Sequence, residues 1–326
     1  MRRALLVLVV AAGAGTAAAA CVQPKEARHE SPAPMSPSAA ACEGCHREIG
    51  AEWRASFHRV AFSDGTFQSS LALESAEDRG FCIPCHAPAA KRASTDDGVD
   101  CTSCHARAHV RDAATSGQAV TRVTSTREDT SRACASCHEF TFDHGRAELV
   151  QKTVTEHAAS RWAAVPCADC HAPRRDGHTD HRFVSGHAPG AMGRSVHVSA
   201  ERSAPNGLRV ELRVDAGHAF PTGDMFRRAR LLIFAESADG RIVADAERVF
   251  GRTWGGLREG EHAGARTQES DTRIRDHWSD VFTFEDATAP IAKVRWTLLY
   301  ERVVAVRGPH VSLVSSDDIA SGELAW

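Results

Sequence analysis

The sequence predicts two unlike halves, a mainly α-helical and irregular domain followed by an all-β, Ig-like sandwich. Three observations carry that expectation. Ten of the 11 cysteines fall into five Cys-x-x-Cys-His pentapeptides between residues 42 and 171. No cysteine follows residue 200. Beyond that point apolar and charged residues alternate with the two-residue period of half-buried strands.

The chain begins with an export signal. Arg2 and Arg3 precede an apolar stretch from Leu5 to Val10 and then small residues to Ala20. That stretch is too short to span a membrane in the mature protein and reads as a signal peptide over 1–20. No later run is apolar enough to cross a bilayer as a helix. Cys21, directly after Ala18-Ala19-Ala20, is the one cysteine outside the five pentapeptides. Its place at the cleavage boundary is similar to a bacterial lipoprotein signal, so Cys21 is expected to be lipidated. Residues 21–40, with Pro24, Pro32, Pro34 and Pro37, read as a flexible tether from that anchor. The expected location is the periplasm or the outer membrane.

The pentapeptides are Cys42 to His46 (with Cys45), Cys82 to His86 (with Cys85), Cys101 to His105 (with Cys104), Cys134 to His138 (with Cys137) and Cys167 to His171 (with Cys170). This is the attachment signature of c-type haem. Two thiols at this spacing reach the two vinyl groups of one porphyrin edge, and the histidine that follows points at the iron. Zinc ribbons need no histidine directly after each pair. A redox dithiol uses one such pair rather than five. Structural disulfides would not repeat a pentapeptide. The sequence therefore predicts five covalently attached haems c, with His46, His86, His105, His138 and His171 as proximal ligands. All five motifs fit within 130 residues, or about 26 residues per haem, too few to build a separate apolar core around each porphyrin. The haems must largely be the core of a domain over 41–199, close enough together to conduct.

Each iron has a sixth position, and 13 further histidines could fill it. Eight of these lie between His58 and His197, in or beside the haem segment, which favours two histidines per iron. Ile49, Trp53 and Phe57 form an apolar stripe that predicts a helix over 46–60. On it, His46 and His58 would stand roughly 18 Å apart, so His58 should serve a different haem. His144, ahead of a helix expected from about Gly145 to Val165, and His109, four residues after the third motif, are further candidates. So are His181 and His187 in the His- and Gly-rich loop after the fifth motif. Methionine is scarce, and only Met192 lies near the haem segment. Since methionine ligation raises the potential relative to histidine, mostly low-potential haems are expected.

The second half is expected to span 200–326. Leu208, Val210, Leu212 and Val214 alternate with Arg209, Glu211 and Arg213. Further strands are expected at Arg230 to Ala235, Arg241 to Ala244, Val281 to Phe284 and around Val294 to Tyr300. Between the first two lies Ala216-Gly217-His218-Ala219-Phe220-Pro221-Thr222-Gly223, a shaped loop that either makes a structural turn or carries His218 across to a haem.

Composition narrows the function. The net charge of −3, from 39 basic and 42 acidic residues, gives no reason to expect nucleic-acid binding. There are 35 arginines against 4 lysines, which fits paired recognition of carboxylates by planar guanidinium groups.

The chain resembles the multihaem c-type cytochromes of the cytochrome c-554 type. The resemblance rests on Cys42 to His46 followed by Trp53-Arg54-Ala55-Ser56-Phe57-His58, on Val165-Pro166-Cys167 through His171-Ala172-Pro173, and on His181-Arg182-Phe183 and Gly186-His187. It covers roughly residues 40–195. The Gly217-His218 to Pro221-Thr222-Gly223 segment is similar to a β domain often appended to such cytochromes. The resemblance implies closely stacked haems, mostly with two histidine ligands, and electron transfer without substrate turnover. The chain departs from it at His157, where related sequences carry an aromatic residue after Glu156.

Two function classes stand at this point. One is an electron carrier between a quinol-side donor and a downstream acceptor, both proteins. The other is an oxidoreductase reducing a small nitrogen or sulfur oxyanion at a five-coordinate haem. Pentahaem reductases of that kind carry a motif ending in Lys, which is absent here, and the single Tyr300 falls inside an expected strand. Both points favour the carrier.

Overall fold

A computed structural model describes residues 39–89, 95–105, 127–141, 149–188, 190–255, 268–305 and 311–326. Cys21, His109 and His144 lie outside the described residues. The described residues, all within the unit that ends at Trp326, pack together as one unit. It has a helical and irregular amino-terminal part and a β-rich carboxy-terminal part. Among the described residues no helix is long and apolar enough to cross a membrane.

The helices are short: α1 Ala39–Glu43, α2 Arg47–Arg54, α3 Gly65–Leu73, α4 Ala76–His86, α5 Cys101–His105, α6 Arg127–His138, α7 Thr153–Ala158 and α8 Cys167–His171. Helix α2 carries Glu48 in its first turn and Arg54 in its last, in the sense the helix dipole favours. It buries Gly50 and Trp53, whose indole N–H donates to the Val99 carbonyl at 2.9 Å. The helix expected over 46–60 ends at Arg54, and beyond it the carbonyl of His58 accepts from Val99 N–H at 2.9 Å. Gly98, at φ +57, makes that approach possible, since a Cβ there would lie 2.4 Å from the His58 oxygen. Helix α3 is capped by Asp64, which accepts from Phe67 N–H at 2.9 Å.

The long helix expected from Gly145 is also corrected. Leu149–Lys152 is a strand, β2, antiparallel to β1 (Glu139–Thr141), and only Thr153–Ala158 is helical. The Glu139 carboxylate accepts from Val154 and Thr155 N–H at 2.8 and 2.9 Å, which starts α7 at that point. After α8 a two-residue ribbon, β3 (Arg174–Arg175) with β4 (His178–Thr179), leads into the His-rich loop.

The carboxy-terminal part holds two antiparallel sheets. The smaller has the order β10-β6-β5, with β5 Val196–Ala204, β6 Gly207–Val214 and β10 His277–Thr283. The larger has the order β12-β11-β7-β8-β9, with β7 Arg227–Glu236, β8 Ile242–Trp254, β9 Gln268–Asp271, β11 Lys293–Ala305 and β12 Val311–Ala325. Leu208, Val210, Leu212 and Val214 of one sheet meet Ala229, Leu231, Ile233, Ala235, Val294 and Leu298 of the other in a single apolar core. Each fully buried leucine contributes about 1.5–3 kcal/mol of transfer free energy, so this core is a main source of stability. The first strand begins at Val196, ahead of the expected boundary at 200.

Arginine joins the two parts. Arg252 of β8 is buried and donates from Nη2 to the Leu149 carbonyl at 2.6 Å and from Nη1 to the Val150 carbonyl. Inside the β part, Arg228 and Arg230 lie 2.6 and 3.1 Å from the fully buried Glu301 carboxylate. These pairings give the arginine excess a use that the sequence alone could only name as an option.

Candidate haem sites

Each Cys-x-x-Cys-His motif sits on helical backbone. The second and fourth are the last turns of α4 and α6, and the third and fifth are the whole of α5 and α8. The first spans the end of α1, where His46 N–H still donates to the Cys42 carbonyl at 2.9 Å. On such a turn residues i, i+3 and i+4 share one face, so both thiols and the imidazole point the same way.

Thiols of different motifs meet. Cys42 and Cys101 are hydrogen-bonded, and burial together with Cys42 pushes the Cys101 thiol up to about 12. Cys134 and Cys167 are likewise hydrogen-bonded, which, with burial, raises Cys134. Cys104 adds to the charge felt by Cys134. The third motif thus touches the first and adjoins the fourth, and the fourth touches the fifth.

Three imidazole pairs stand at one spacing. His105 and His181 are 6.2 Å apart between ring centres, His171 and His218 are 6.1 Å apart, and His58 and His138 are 6.4 Å apart. These separations exceed ring stacking. They equal two metal–imidazole bonds of about 2 Å plus about 1.1 Å from each nitrogen to its ring centre. In each pair one ring belongs to a motif and the other comes from elsewhere. Two imidazoles leave four equatorial positions on an iron, and a porphyrin supplies four nitrogens. The residues present therefore fit haem c at the third, fourth and fifth motifs.

Hydrogen bonds orient the rings. Nδ1 donates to a backbone carbonyl in His86 (Ala61, 2.8 Å), His171 (Val184, 2.7 Å), His181 (Thr179, 2.7 Å) and His218 (Ala219, 3.2 Å). This fixes the tautomer and leaves Nε2 with its lone pair for a metal. Burial lowers His58 and His138 to about 4, so these two rings are neutral at neutral pH, and it also lowers His86 and His218.

The loop bearing His181 is rigidly built. The buried Asp180 carboxylate accepts from the Arg182 backbone and guanidinium, which holds it down to about 2. Glu52 of α2 accepts from His181 N–H at 2.9 Å and meets His178 Nε2 at 3.0 Å. Phe183, at φ +49, packs edge-on 4.5 Å from His58 and 5.8 Å from His181. A positive φ on a phenylalanine is costly and marks a backbone held by its surroundings.

His187 is placed otherwise. Its ring stacks on Phe57 at 3.5 Å, with Arg302 Nη1 3.4 Å from Nδ1. His86 stacks on Phe67 at 3.7 Å. Among the described residues no imidazole pairs with His46 or His86 at the 6 Å spacing. His218 is the residue that the β part contributes, from the loop between β6 and β7. Sequence reasoning missed Glu52, which gave no local signal; Phe183 figured only within the His181-Arg182-Phe183 stretch, and Glu156 only as the neighbour of His157.

Comparisons with known proteins follow the same line. Residues 41–106 match the family model described as cytochrome c554 and c-prime. The chain is similar in fold to a penta-heme cytochrome c552 from Thermochromatium tepidum, with a TM-score of 0.66 and 21% identity, over 90% of this chain and 100% of that one. A superoxide reductase (neelaredoxin) from Archaeoglobus fulgidus overlaps 40% of this chain and 89% of its own, at 12% identity and a TM-score of 0.19, too slight to carry an argument. No curated protein matches. The family model covers residues 41–106, and the likeness to the penta-heme cytochrome c552 is one of fold.

Proposed function

We propose that this chain is a pentahaem c-type cytochrome that carries electrons through closely packed haems in the cell envelope. The observation that carries the proposal is the trio of imidazole pairs at 6.1–6.4 Å, each joining a motif histidine to a second ring. Covalently held haem supplies reversible one-electron chemistry. The protein's part is to hold it. Ten thiols would anchor five groups, each motif histidine would ligate one iron, and His181, His58 and His218 would supply a second imidazole at the third, fourth and fifth motifs. His109, His144 and His187 are the candidates for the first two. The thiol contacts make the third group a neighbour of the first and fourth, and the fourth a neighbour of the fifth.

The β part reads as an Ig-like sandwich. Its strands β5-β6-β10 and β12-β11-β7-β8 follow the order A-B-E and G-F-C-C′ of that fold. Export by residues 1–20 and a lipid on Cys21 would place the chain on a periplasmic membrane face. Its partners would be a quinol-side donor and a downstream acceptor protein.

A pyridine haemochrome assay against protein concentration is expected to give five haems per chain, and a value of two or fewer rejects the arrangement. Low-temperature EPR separates the two function classes. Low-spin iron throughout supports the carrier; a high-spin iron that binds cyanide or nitric oxide favours reduction of a small oxyanion.

A further inference from the structure

We infer that Glu156 is a positioning residue for the axial ligand that the β part supplies, and that with Arg273 it forms the latch holding His218 opposite His171. The inference rests on the reading of His218 as a ligand.

Glu156 lies on α7 in the haem part and is buried. Its two oxygens do different things. Oε2 accepts from Ala219 N–H at 3.1 Å, the residue next to His218. Oε1 accepts from Arg273 Nη2 at 2.6 Å, and both side chains are 3% exposed. Arg273 also donates to Asp271, which meets Lys152 at 3.1 Å, one residue before α7. Ile274, next to Arg273, exchanges two backbone hydrogen bonds with Phe220, next to Ala219. Glu156, Arg273, Ile274, Phe220 and Ala219 therefore close a ring of contacts, and His218 projects from it. Two more contacts seat the same loop on α7. Thr222 Oγ1 lies 2.9 Å from Thr153 Oγ1, and Gly217 packs on the His157 ring. A buried carboxylate is costly unless paired, so losing either partner should open the ring. The loop would then be free to withdraw His218.

The test uses the full, haem-loaded protein, with two readouts: high-spin iron by EPR, and carbon monoxide bound per chain after reduction. Glu156→Ala is expected to gain one CO-binding, high-spin haem per chain over the parent, and added imidazole should restore the low-spin signal. Glu156→Gln keeps an oxygen for Ala219 N–H and should show less than half that gain. His218→Ala should show the full gain. Glu236→Ala, which breaks the pairing of the buried Glu236 with the half-exposed Arg295 at the far end of β7 from the loop, should lower stability with no gain in CO binding. That separates positioning from general destabilisation. If His218→Ala gains a CO-binding haem and Glu156→Ala does not, the latch is rejected and the ligand assignment stands. If His218→Ala gains nothing, the assignment falls and the positioning role with it. Should Glu156→Ala fail to load haem, Arg273→Gln, which strips the other side of the latch, carries the same expectation and the same refutation.

Discussion

The ring of His58 stands 6.4 Å from that of His138, while Phe183 packs edge-on 4.5 Å from the same ring. His58 comes from the turn between α2 and α3, and His138 ends α6. Burial lowers both rings to about 4, so each is neutral and able to ligate at neutral pH. Replacing His58 by Ala is therefore expected to convert one low-spin haem per chain to high-spin. An EPR spectrum identical to the parent's would remove His58 as a ligand.

Gly217 is glycine because of what faces it. A Cβ at that position would lie 2.6 Å from His157 Cδ2 and 3.4 Å from Trp162 Cβ. At 2.6 Å the His157 ring would have to shift to admit a methyl group. Gly217→Ala is expected to destabilise the protein by about 1–3 kcal/mol, the usual cost of overpacking. Denaturant unfolding measures it; a midpoint equal to the parent's would show that the contact is looser than it looks.

What the sequence disclosed and what it hid divide along the range of the interactions. The Cys-x-x-Cys-His motifs were legible because thioether chemistry demands a local spacing. Strands β6, β7 and β11 were legible because a half-buried strand must alternate. The turn that carries His58 after α2 was not, since Val99 claims the His58 carbonyl from far along the chain. Nor was the start of α7, which Glu139 caps from across a ribbon. Strand β12 reads as polar, with Ser315, Ser316, Asp317 and Asp318 in it, because it lies at the edge of its sheet and stays largely exposed. The histidine count pointed to axial ligands, and His58, His181 and His218 are brought opposite motif histidines. His187, in an equally His-rich stretch, stacks on Phe57. Which histidine reaches which motif is a property of the packed chain.

The proposed membrane attachment rests on one residue that can be tested alone. Cys21 is left over once the ten motif thiols are assigned, and it follows the small residues of the expected export signal. One acyl chain binds a membrane weakly, whereas two hold it stably. Cys21→Ser is therefore expected to move the haem-loaded protein from the membrane fraction to the soluble one. Continued sedimentation with membranes would sink the lipid anchor while leaving the haem assignment intact.

Acid stability should carry the signature of Asp271. Burial alone would raise its carboxyl, but hydrogen bonds from Arg273, the charge of Arg273 and Lys152 outweigh it and hold the group well below the usual carboxylate range. In the unfolded chain an aspartate titrates near about 3.9. The folded group thus binds its proton less readily, so its stabilisation is fully present above the unfolded value and fades as the pH falls through the depressed folded one. Asp271→Asn removes the charge at every pH. The parent is expected to be more stable than this variant by on the order of 1–2 kcal/mol near neutrality, a gap that closes toward about pH 2. Histidine protonation is common to both proteins and cancels in the difference. Unfolding free energies measured in parallel across that range check it, and a gap independent of pH would mean that Asp271 acts through its shape rather than its charge.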